Sequence, residues 1–269
     1  MKLNFQPKAY FIDLDGTTLD CPKTEARISE ENINAIRTLN DKNIPVVIAT
    51  GRSNSPFVMD LAKKFNSPFV ICQNGGIIVN QHNNVLKTNE MQKDTVLEII
   101  EILKEEKMCF IINSGDTIYG PTTKIKMIRP WAKKMNTYTY EEIPQITNST
   151  KILTFGKNKK GILKLRDRLA KKFINISQHV VSRGYSIEIN DENATKGIAD
   201  RFVCQLLNIN PNQAVHVGDS GNDTTSINHI GAFICMKNGL KNIRRQAHLI
   251  GPHYKKAGIA KLFKELNSI

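Results

Sequence analysis

Short, continuous apolar runs alternate with segments of helical periodicity in the first and last thirds of this chain of 269 residues. AYFI (9–12) reads as a strand buried on both faces. The other strand-like runs are IPVVIAT (44–50), PFVICQ (68–73), IIVN (77–80), AVHVG (214–218) and GAFICM (231–236). Helical patterns cover 29–42, 58–65, 197–207, 240–247 and 257–267. This alternation predicts βαβ units, and therefore a Rossmann-like, doubly wound α/β fold with a mostly parallel sheet.

The middle of the chain has a different pattern. Helical periodicity occurs here over 91–107 and 160–173. Strand-like runs surround these segments at 108–113, 117–120, 151–156, 174–181 and 185–190. Because strands outnumber helices and follow one another in pairs, we expect an α+β domain. The sequence thus predicts a core made of residues 1–84 and 192–269, interrupted by an inserted α+β domain over 85–191.

The composition excludes several classes of protein. An apolar content of 40% and a charged content of 23% exclude a disordered or collagen-like chain. The net charge is +13, and residues 120–190 alone carry 15 basic against 4 acidic side chains. This excess predicts either solvated helix faces or a surface that attracts anionic substrates. RNA binding is disfavoured, because no aromatic residues are interleaved with the basic ones.

Patterns of secretion and membrane insertion are absent from the sequence. The first apolar run stops at Asp13, too early for a signal peptide, and no stretch of 18 apolar residues occurs. The cysteines are odd in number and widely spaced, which favours free thiols over disulfides or a zinc site. We therefore expect a cytoplasmic protein with no membrane partner.

Two carboxylates, Asp13 and Asp15, follow the first strand in the motif FIDLDGTT (11–18). Side chains at this spacing on extended backbone point the same way, and open α/β sheets bind ligands at the carboxyl ends of their strands. Like charges held close together need a cation or a proton between them. The motif predicts a metal site or a protonated carboxyl, and its alternative is a solvated acidic loop. The glycine offset disfavours a calcium loop.

A second acidic motif, HVGDSGND (216–223), follows the strand at 214–218. Its Asp219 and Asp223 lie four residues apart. Together with the first acidic pair they would form an oxygen-rich site that suits Mg²⁺. Taken alone, the segment is also compatible with a turn followed by a helix cap.

Two further segments have features of an anion site. Thr50 and Gly51, in ATGRS (49–53), offer a hydroxyl and a close backbone approach after a strand, and a helix N-terminus is expected next. Lys196 opens a helical segment, where its charge would neutralise a transferring phosphoryl group. Taken singly, a simple turn and a surface lysine explain these segments as well.

In chain order, FIDLDGTT, ATGR, Lys196 and GDSGND resemble the motifs of the haloacid dehalogenase-like phosphotransferases. The 34 residues between Asp15 and Thr50 leave no room for a cap domain, whereas the 145 between Thr50 and Lys196 hold the α+β insert. This placement resembles the Cof-type hydrolases of subclass IIB, which carry a cap of type C2B. Two further segments resemble motifs of that subclass: Asn74-Gly75, and SIEIN, which lies shortly before Lys196.

The resemblance implies a phosphoryl transfer in two steps. Asp13 would be the nucleophile that forms an aspartyl-phosphate, and Asp15 would be the general acid and then the general base. Thr50 and Lys196 would hold the phosphoryl oxygens. Mg²⁺ would be bound by Asp13, the backbone carbonyl of Asp15 and Asp219, with Asp223 acting directly or through water. The full set of expected substrate-binding residues is Thr50, Gly51, Arg52, Asn74, Lys196 and Asn222.

The expected function is that of a Mg²⁺-dependent phosphatase acting on small phosphorylated metabolites, either sugar phosphates or phosphorylated cofactors. Two alternatives stay open: a phosphomutase, and a non-enzymatic protein that binds anions or RNA through the basic insert. A P-loop kinase and a serine hydrolase are excluded, because neither GxxxxGK[ST] nor GxSxG occurs. The sequence departs from the family at PHYKKAGI (252–259), where Lys255 and Lys256 replace an expected acidic pair, so substrate contacts near this segment are expected to differ from the family's.

Overall fold

The structure is a computed structural model that describes residues 2–22, 27–130, 132–146 and 148–267. Its strands, numbered in chain order, are β1 Ala9–Ile12, β2 Val46–Ala49, β3 Phe69–Cys72, β4 Ile77–Asn80, β5 Val85–Thr88, β6 Cys109–Ile112, β7 Thr117–Gly120, β8 Asn136–Thr139, β9 Ile152–Phe155, β10 Ile176–Val181, β11 Ser186–Asp191, β12 Ala214–Gly218, β13 Ala232–Cys235 and β14 Leu249–Ile250. Its helices are α1 Glu30–Asp41, α2 Pro56–Phe65, α3 Lys93–Glu105, α4 Thr122–Ile128, α5 Lys159–Lys172, α6 Lys196–Leu206, α7 Lys241–Arg244 and α8 Gly258–Asn267.

The chain divides into two compact units. The core unit consists of Met1–Lys87 and Thr195–Ile269, and the inserted unit consists of Thr88–Ala194. The described residues form one sheet of eight strands, in the order β14-β13-β12-β1-β2-β3-β4-β5, and one of six, in the order β10-β11-β9-β6-β7-β8.

Strand β1 lies inside the core sheet, between β12 and β2, and runs parallel to both. All four of its residues are fully buried, as expected for a continuous apolar run. Ile12 is in register with Val217 of β12 and with Ile48 of β2. The carboxyl ends of these three strands therefore lie side by side, and the residues that follow them come together at one edge of the sheet.

Helices cover both faces of the core sheet. The apolar sides of α1, α2 and α8 pack on one face, against Tyr10 and Ile12. Helix α6 packs on the other face, where Val203 and Cys204 meet Phe11 and Val47. Side chains of β1 alternate between these two clusters, as the pleat of a strand requires. The predicted doubly wound α/β fold is confirmed.

The inserted unit is an α+β layer, as predicted. Its sheet is antiparallel except for the parallel pair β7–β8. The apolar sides of α3 and α5 pack on one face, around Phe110, Ile152 and Ile187. The short helix α4 packs through Ile125 on a second cluster, with Cys109 and Ile118.

The structure also contains elements that the sequence patterns do not predict, namely β5, α4, β8 and β14. They are short and bury little apolar surface: β5 is mostly exposed, and α4 buries only Ile125. The helix predicted over 58–65 begins at Pro56, so its N-terminus lies three residues beyond Ser53, the last residue of ATGRS. The helix expected over 240–247 is only the four residues of α7.

None of the helices in the described part of the chain is both long and apolar enough to cross a bilayer. The cysteines are free thiols, and all except Cys21 are buried.

Candidate active site

Asp13 is the first residue after β1 and lies at the centre of the edge where three strands end. Its backbone is extended, and its N–H donates to Val217 O at 2.9 Å. Thr18 Oγ1 donates back to the Asp13 carbonyl at 2.6 Å, which closes the loop that follows. Only 7% of Asp13 is exposed. The strand and the loop thus fix the carboxylate in a buried position.

Lys196, the first residue of α6, is fully buried. Its Nζ donates to Asp13 Oδ1 and to Asp223 Oδ1, both at 2.6 Å. A buried ammonium is costly unless it is paired. Although burial alone would lower it, the two carboxylates raise the pKa of Lys196 above its ordinary value. Lys196 is therefore a cation at neutral pH, as the sequence predicts.

Asp223 accepts hydrogen bonds on both carboxylate oxygens. Oδ1 accepts from Lys196, and Oδ2 accepts from the N–H groups of Asp219 and Ser220 at 3.0 and 2.9 Å and from Ser220 Oγ at 3.2 Å. Burial alone would raise the pKa of Asp223, but Lys196 and His216 hold it below its ordinary range. Asp223 is thus ionised, and it shapes the loop after β12.

Asp219 lies beside the loop that follows β1. Its Oδ1 accepts from Thr17 Oγ1 at 3.2 Å and its Oδ2 from Asn238 Nδ2 at 3.3 Å. Gly16 has a φ of +88°, and a Cβ there would lie 2.5 Å from Asp219 Oδ2. Only glycine leaves room for the carboxylate at this distance.

Carboxylate oxygens of Asp13, Asp219 and Asp223 lie within 4.8 Å of one another. Burial and the charges of the other two carboxylates raise the pKa of Asp219 to about 8. Burial likewise raises the pKa of Asp13 to about 6, against the lowering effect of Lys196. An oxygen-only donor set with raised carboxylate pKa values fits a hard divalent cation, which would relieve the repulsion.

Asp15 has different surroundings, because about half of its side chain is exposed. Arg52 Nε and Nη2 donate to its two oxygens at 2.5 and 2.6 Å, and Arg27 Nη2 lies 3.7 Å away. Although partial burial would raise it, the arginines hold the pKa of Asp15 below its ordinary value. Asp13 and Asp15 therefore have separate partners.

Several of the predicted substrate-binding residues form one hydrogen-bonded group. Thr50 is buried, its Oγ1 accepts from Arg52 N at 3.1 Å, and its carbonyl accepts from Asn74 N at 3.0 Å. Asn74 Oδ1 in turn accepts from Asn222 Nδ2 at 2.8 Å. The residues that follow β2, β3 and β12 are thus linked, and Gly51 lies between two of them in the chain.

A buried pair, His216 and Asp200, extends the site in a way that the motifs do not indicate. His216 Nδ1 lies 2.7 Å from Asp200 Oδ2, and Nε2 lies 3.0 Å from Asp223 Oδ1. Burial alone would lower it, but the two carboxylates raise the pKa of His216 to about 9. A histidine inside the apolar strand AVHVG, and an aspartate one helical turn after Lys196, are the signals that could have found them.

The chain that carries these residues matches a known family of enzymes. The sequence profile of the haloacid dehalogenase-like hydrolases matches residues 10–263, and the chain belongs to that family. The sequence analysis predicted this family and a hydrolase, and both predictions are confirmed.

The chain is similar to named relatives over nearly its whole length. It is 22% identical to a phosphatase of Bacillus subtilis, over 96% of this chain and 99% of the relative. It is 26% identical to the 5-amino-6-(5-phospho-D-ribitylamino)uracil phosphatase YcsE of the same organism, over 96% and 94%. A solved sugar phosphatase of subclass IIB shares the fold with a TM-score of 0.81 and 18% identity, over 97% of this chain and 100% of that one.

Proposed function

We propose that this hydrolase is a Mg²⁺-dependent phosphatase that cleaves small phosphorylated metabolites through an aspartyl-phosphate on Asp13. One observation carries the proposal: the buried Asp13 carboxylate lies 2.6 Å from the Lys196 ammonium and within 4.8 Å of two further carboxylates. A nucleophile, a cation and a set of oxygen ligands are the parts that phosphoryl transfer requires.

Asp13 is the nucleophile in this proposal. Its Oδ1 accepts the Lys196 hydrogen bond, so its other oxygen, Oδ2, attacks phosphorus in line with the leaving oxygen. The new Oδ2–P bond forms as the P–O bond to the leaving alcohol breaks. Water then attacks the phosphorus of the aspartyl-phosphate while Asp15 takes its proton, the Oδ2–P bond breaks, and inorganic phosphate leaves the restored Asp13 carboxylate. With a pKa of about 6, Asp13 is mostly ionised at neutral pH, as a nucleophile must be.

Asp15 is the proposed general acid and base. It protonates the oxygen of the leaving alcohol in the first step and takes a proton from the attacking water in the second. Its pairing with Arg52 favours the ionised form, which suits the second step. The first step requires that Asp15 be protonated, and therefore less tightly paired.

Lys196 and Thr50 are the proposed holders of the phosphoryl oxygens. Lys196 keeps its charge because it is buried between carboxylates. Thr50 is fixed by backbone hydrogen bonds to Ile71 and Asn74. Asn74 and Asn222 are bonded to each other beside Thr50, and with Gly51 and Arg52 they are proposed to line the rest of the substrate site.

The proposed holders of the metal are Asp13, Asp219 and the backbone carbonyl of Asp15. A bound Mg²⁺ would neutralise the charge that develops on the transferring phosphoryl group. Asp223 already accepts hydrogen bonds from four side-chain and backbone donors besides His216, so its part is to position Lys196 and the loop at Asp219, or to act through water.

The substrate range is proposed from the relatives. Their names include a sugar phosphatase and a phosphatase of a phosphorylated ribitylaminouracil, which are both small phosphorylated metabolites. The cap role of the insert and a cytoplasmic location stay predictions.

Phosphate release from a panel of phosphorylated sugars and cofactors tests the proposed function. We expect release with Mg²⁺ and none with a chelator. Asp13→Asn should lower kcat by at least about 10³-fold, because it removes the nucleophile. The matched control is Asp60→Asn, an exposed aspartate on α2, which should retain activity. Persistent turnover by Asp13→Asn would rule out the proposed nucleophile, and conversion to an isomer without free phosphate would indicate a mutase.

A further inference from the structure

Two guanidinium groups converge on the exposed side of the site. Arg27 and Arg52 both lie over the ring of Phe57, with their central carbons 4.9 and 5.3 Å from its centre. Both also face Asp15, at 3.7 Å for Arg27 and 2.5 Å for Arg52. An aromatic face holds guanidinium groups by cation–π attraction. The four side chains form one cluster, which we call the arginine cluster.

The backbone fixes the positions of both arginines. Arg27 has a φ of +65°, a conformation that non-glycine residues rarely adopt, and its carbonyl accepts from Cys21 N at 3.1 Å. Arg52 N donates to Thr50 Oγ1, and its carbonyl accepts from Gln73 N at 2.8 Å. Backbone hydrogen bonds thus hold both residues in place beside Asp15.

The charges of the arginine cluster do not balance. Among the described residues, Asp15 is the acidic side chain within ion-pair distance of either arginine. Arg52 donates to both carboxylate oxygens of Asp15. The distance from Arg27 to Asp15 is longer than a normal hydrogen bond. One carboxylate thus faces two cations, and an anionic group would pair with the remaining charge.

We propose that Arg27 and Arg52 bind an anionic group, a carboxylate or a second phosphate, on the leaving alcohol of the substrate. This inference rests on the proposed function, because Asp15 is the group that must lie beside the leaving oxygen. Side chains that pair with Asp15 therefore line the leaving-group side of the site. The substrate class is a phosphate ester whose alcohol carries its own negative charge.

An anion on the leaving alcohol would pair with the Arg27 guanidinium, which lies 3.7 Å from Asp15, and with the donors of Arg52. A neutral alcohol offers no such pairing. The anionic group should therefore lower KM. Arg27 lies outside the four motifs and is the specificity-determining residue of this proposal.

A pair of substrates that differ in one group tests the proposal. 3-Phosphoglycerate and glycerol 3-phosphate differ by a carboxylate in place of a hydroxymethyl group. We expect kcat/KM to favour 3-phosphoglycerate by about tenfold, the scale of one charge-assisted hydrogen bond partly screened by water. Arg27→Gln should bring the ratio of the two values close to one, and Arg27→Lys should keep part of it. The matched control is Arg201→Gln, an exposed arginine on α6, which should leave the ratio unchanged.

The outcomes separate this inference from the proposed function. Equal hydrolysis of both compounds, or an equal loss on both in Arg27→Gln, would overturn the inference and leave a phosphatase. Release from neither compound would count against the proposed function, and binding of each compound to Asp13→Asn with Mg²⁺ would then be measured by calorimetry. Tighter binding of 3-phosphoglycerate, lost in Asp13→Asn combined with Arg27→Gln, would support the inference. Equal affinities would overturn it.

Discussion

Two groups of charged side chains adjoin Asp13 and Asp15, the two carboxylates that follow β1, and the groups differ in burial and in the sign of their excess charge. The buried group runs as a hydrogen-bonded chain through Asp200, His216, Asp223, Lys196 and Asp13, with Asp219 beside it. The exposed group is the arginine cluster around Asp15. The buried group contains four carboxylates and two cations, so a divalent cation would neutralise its excess negative charge. The exposed group contains two cations and one carboxylate, so an anion would neutralise its excess positive charge.

This difference in charge and burial shows how one edge of a sheet can attract both a metal ion and an anionic substrate. In the buried group every partner is fixed, since a charge left unpaired there is costly. In the exposed group water screens the charges, and partners can exchange at little cost. A phosphatase needs both properties: a fixed nucleophile, and an acid–base group that changes its protonation state within each turnover.

Removal of the buried cation should have the largest effect on stability. Lys196→Met leaves Asp13 and Asp223 buried without their cation. We expect the free energy of unfolding in chelator to fall by about 3–5 kcal/mol, the scale for breaking a buried ion pair. Urea denaturation measures this. Lys63→Met, an exposed lysine on α2, is the control and should change stability by less than about 0.5 kcal/mol. Equal stability of the two variants would mean that the buried carboxylates do not depend on Lys196.

Removal of the partly buried Asp219 carboxylate should have a smaller effect of the opposite sign. The pKa of Asp219 is raised from 3.8 to about 8 in the folded protein, mainly by burial and by the nearby carboxylates. Its contribution to stability is therefore present below about pH 4 and is lost as the pH rises through 8. In chelator at pH 8 and above, Asp219→Asn should be more stable than the wild type, because linkage favours the neutral side chain. We expect a difference of about 2 kcal/mol, well below the full linkage value, because Asp219 is partly exposed and solvent screens its charge.

Urea denaturation between pH 4 and 9 measures the Asp219 effect, and Mg²⁺ provides its control. Other titrating groups, such as Asp13 and His216, are present in both proteins, so the difference between them reports Asp219 together with its coupling to Asp13. With Mg²⁺ the order should reverse, since only the wild type keeps all its metal ligands. A variant less stable than the wild type in chelator at pH 8 would contradict the raised pKa.

The sequence predicts the core of the fold well, because its strands are buried on both faces and appear as continuous apolar runs. Parallel strands share a carboxyl edge, so the residues that follow β1, β2 and β12 could be expected to meet. Elements such as β5 and α4 could not be predicted, because they bury too little apolar surface to leave a periodic pattern.

The candidate site is predicted in its residues but not in its pairings. The motifs indicate Asp13, Lys196 and Asp219 as site residues. The spacing of the motifs does not show that Asp223 accepts so many hydrogen bonds. Arg27 could not be found, because it belongs to no motif and reaches Asp15 only through the fold of its loop. Partner choice depends on tertiary contacts that local patterns do not encode.

The exposed ion pair should contribute least to stability. Arg52→Gln removes the two hydrogen bonds to Asp15, but about half of the Asp15 side chain is exposed. We expect the free energy of unfolding to change by less than about 1 kcal/mol, as for other solvent-screened pairs. The pKa of Asp15 should rise toward its ordinary value, which a carbon-13 NMR titration of its carboxyl group would follow. Both effects should shrink at high salt. A loss as large as that of Lys196→Met would show that Asp15 and Arg52 are fixed like the buried group, and that partner exchange at Asp15 is too costly to occur in a catalytic cycle.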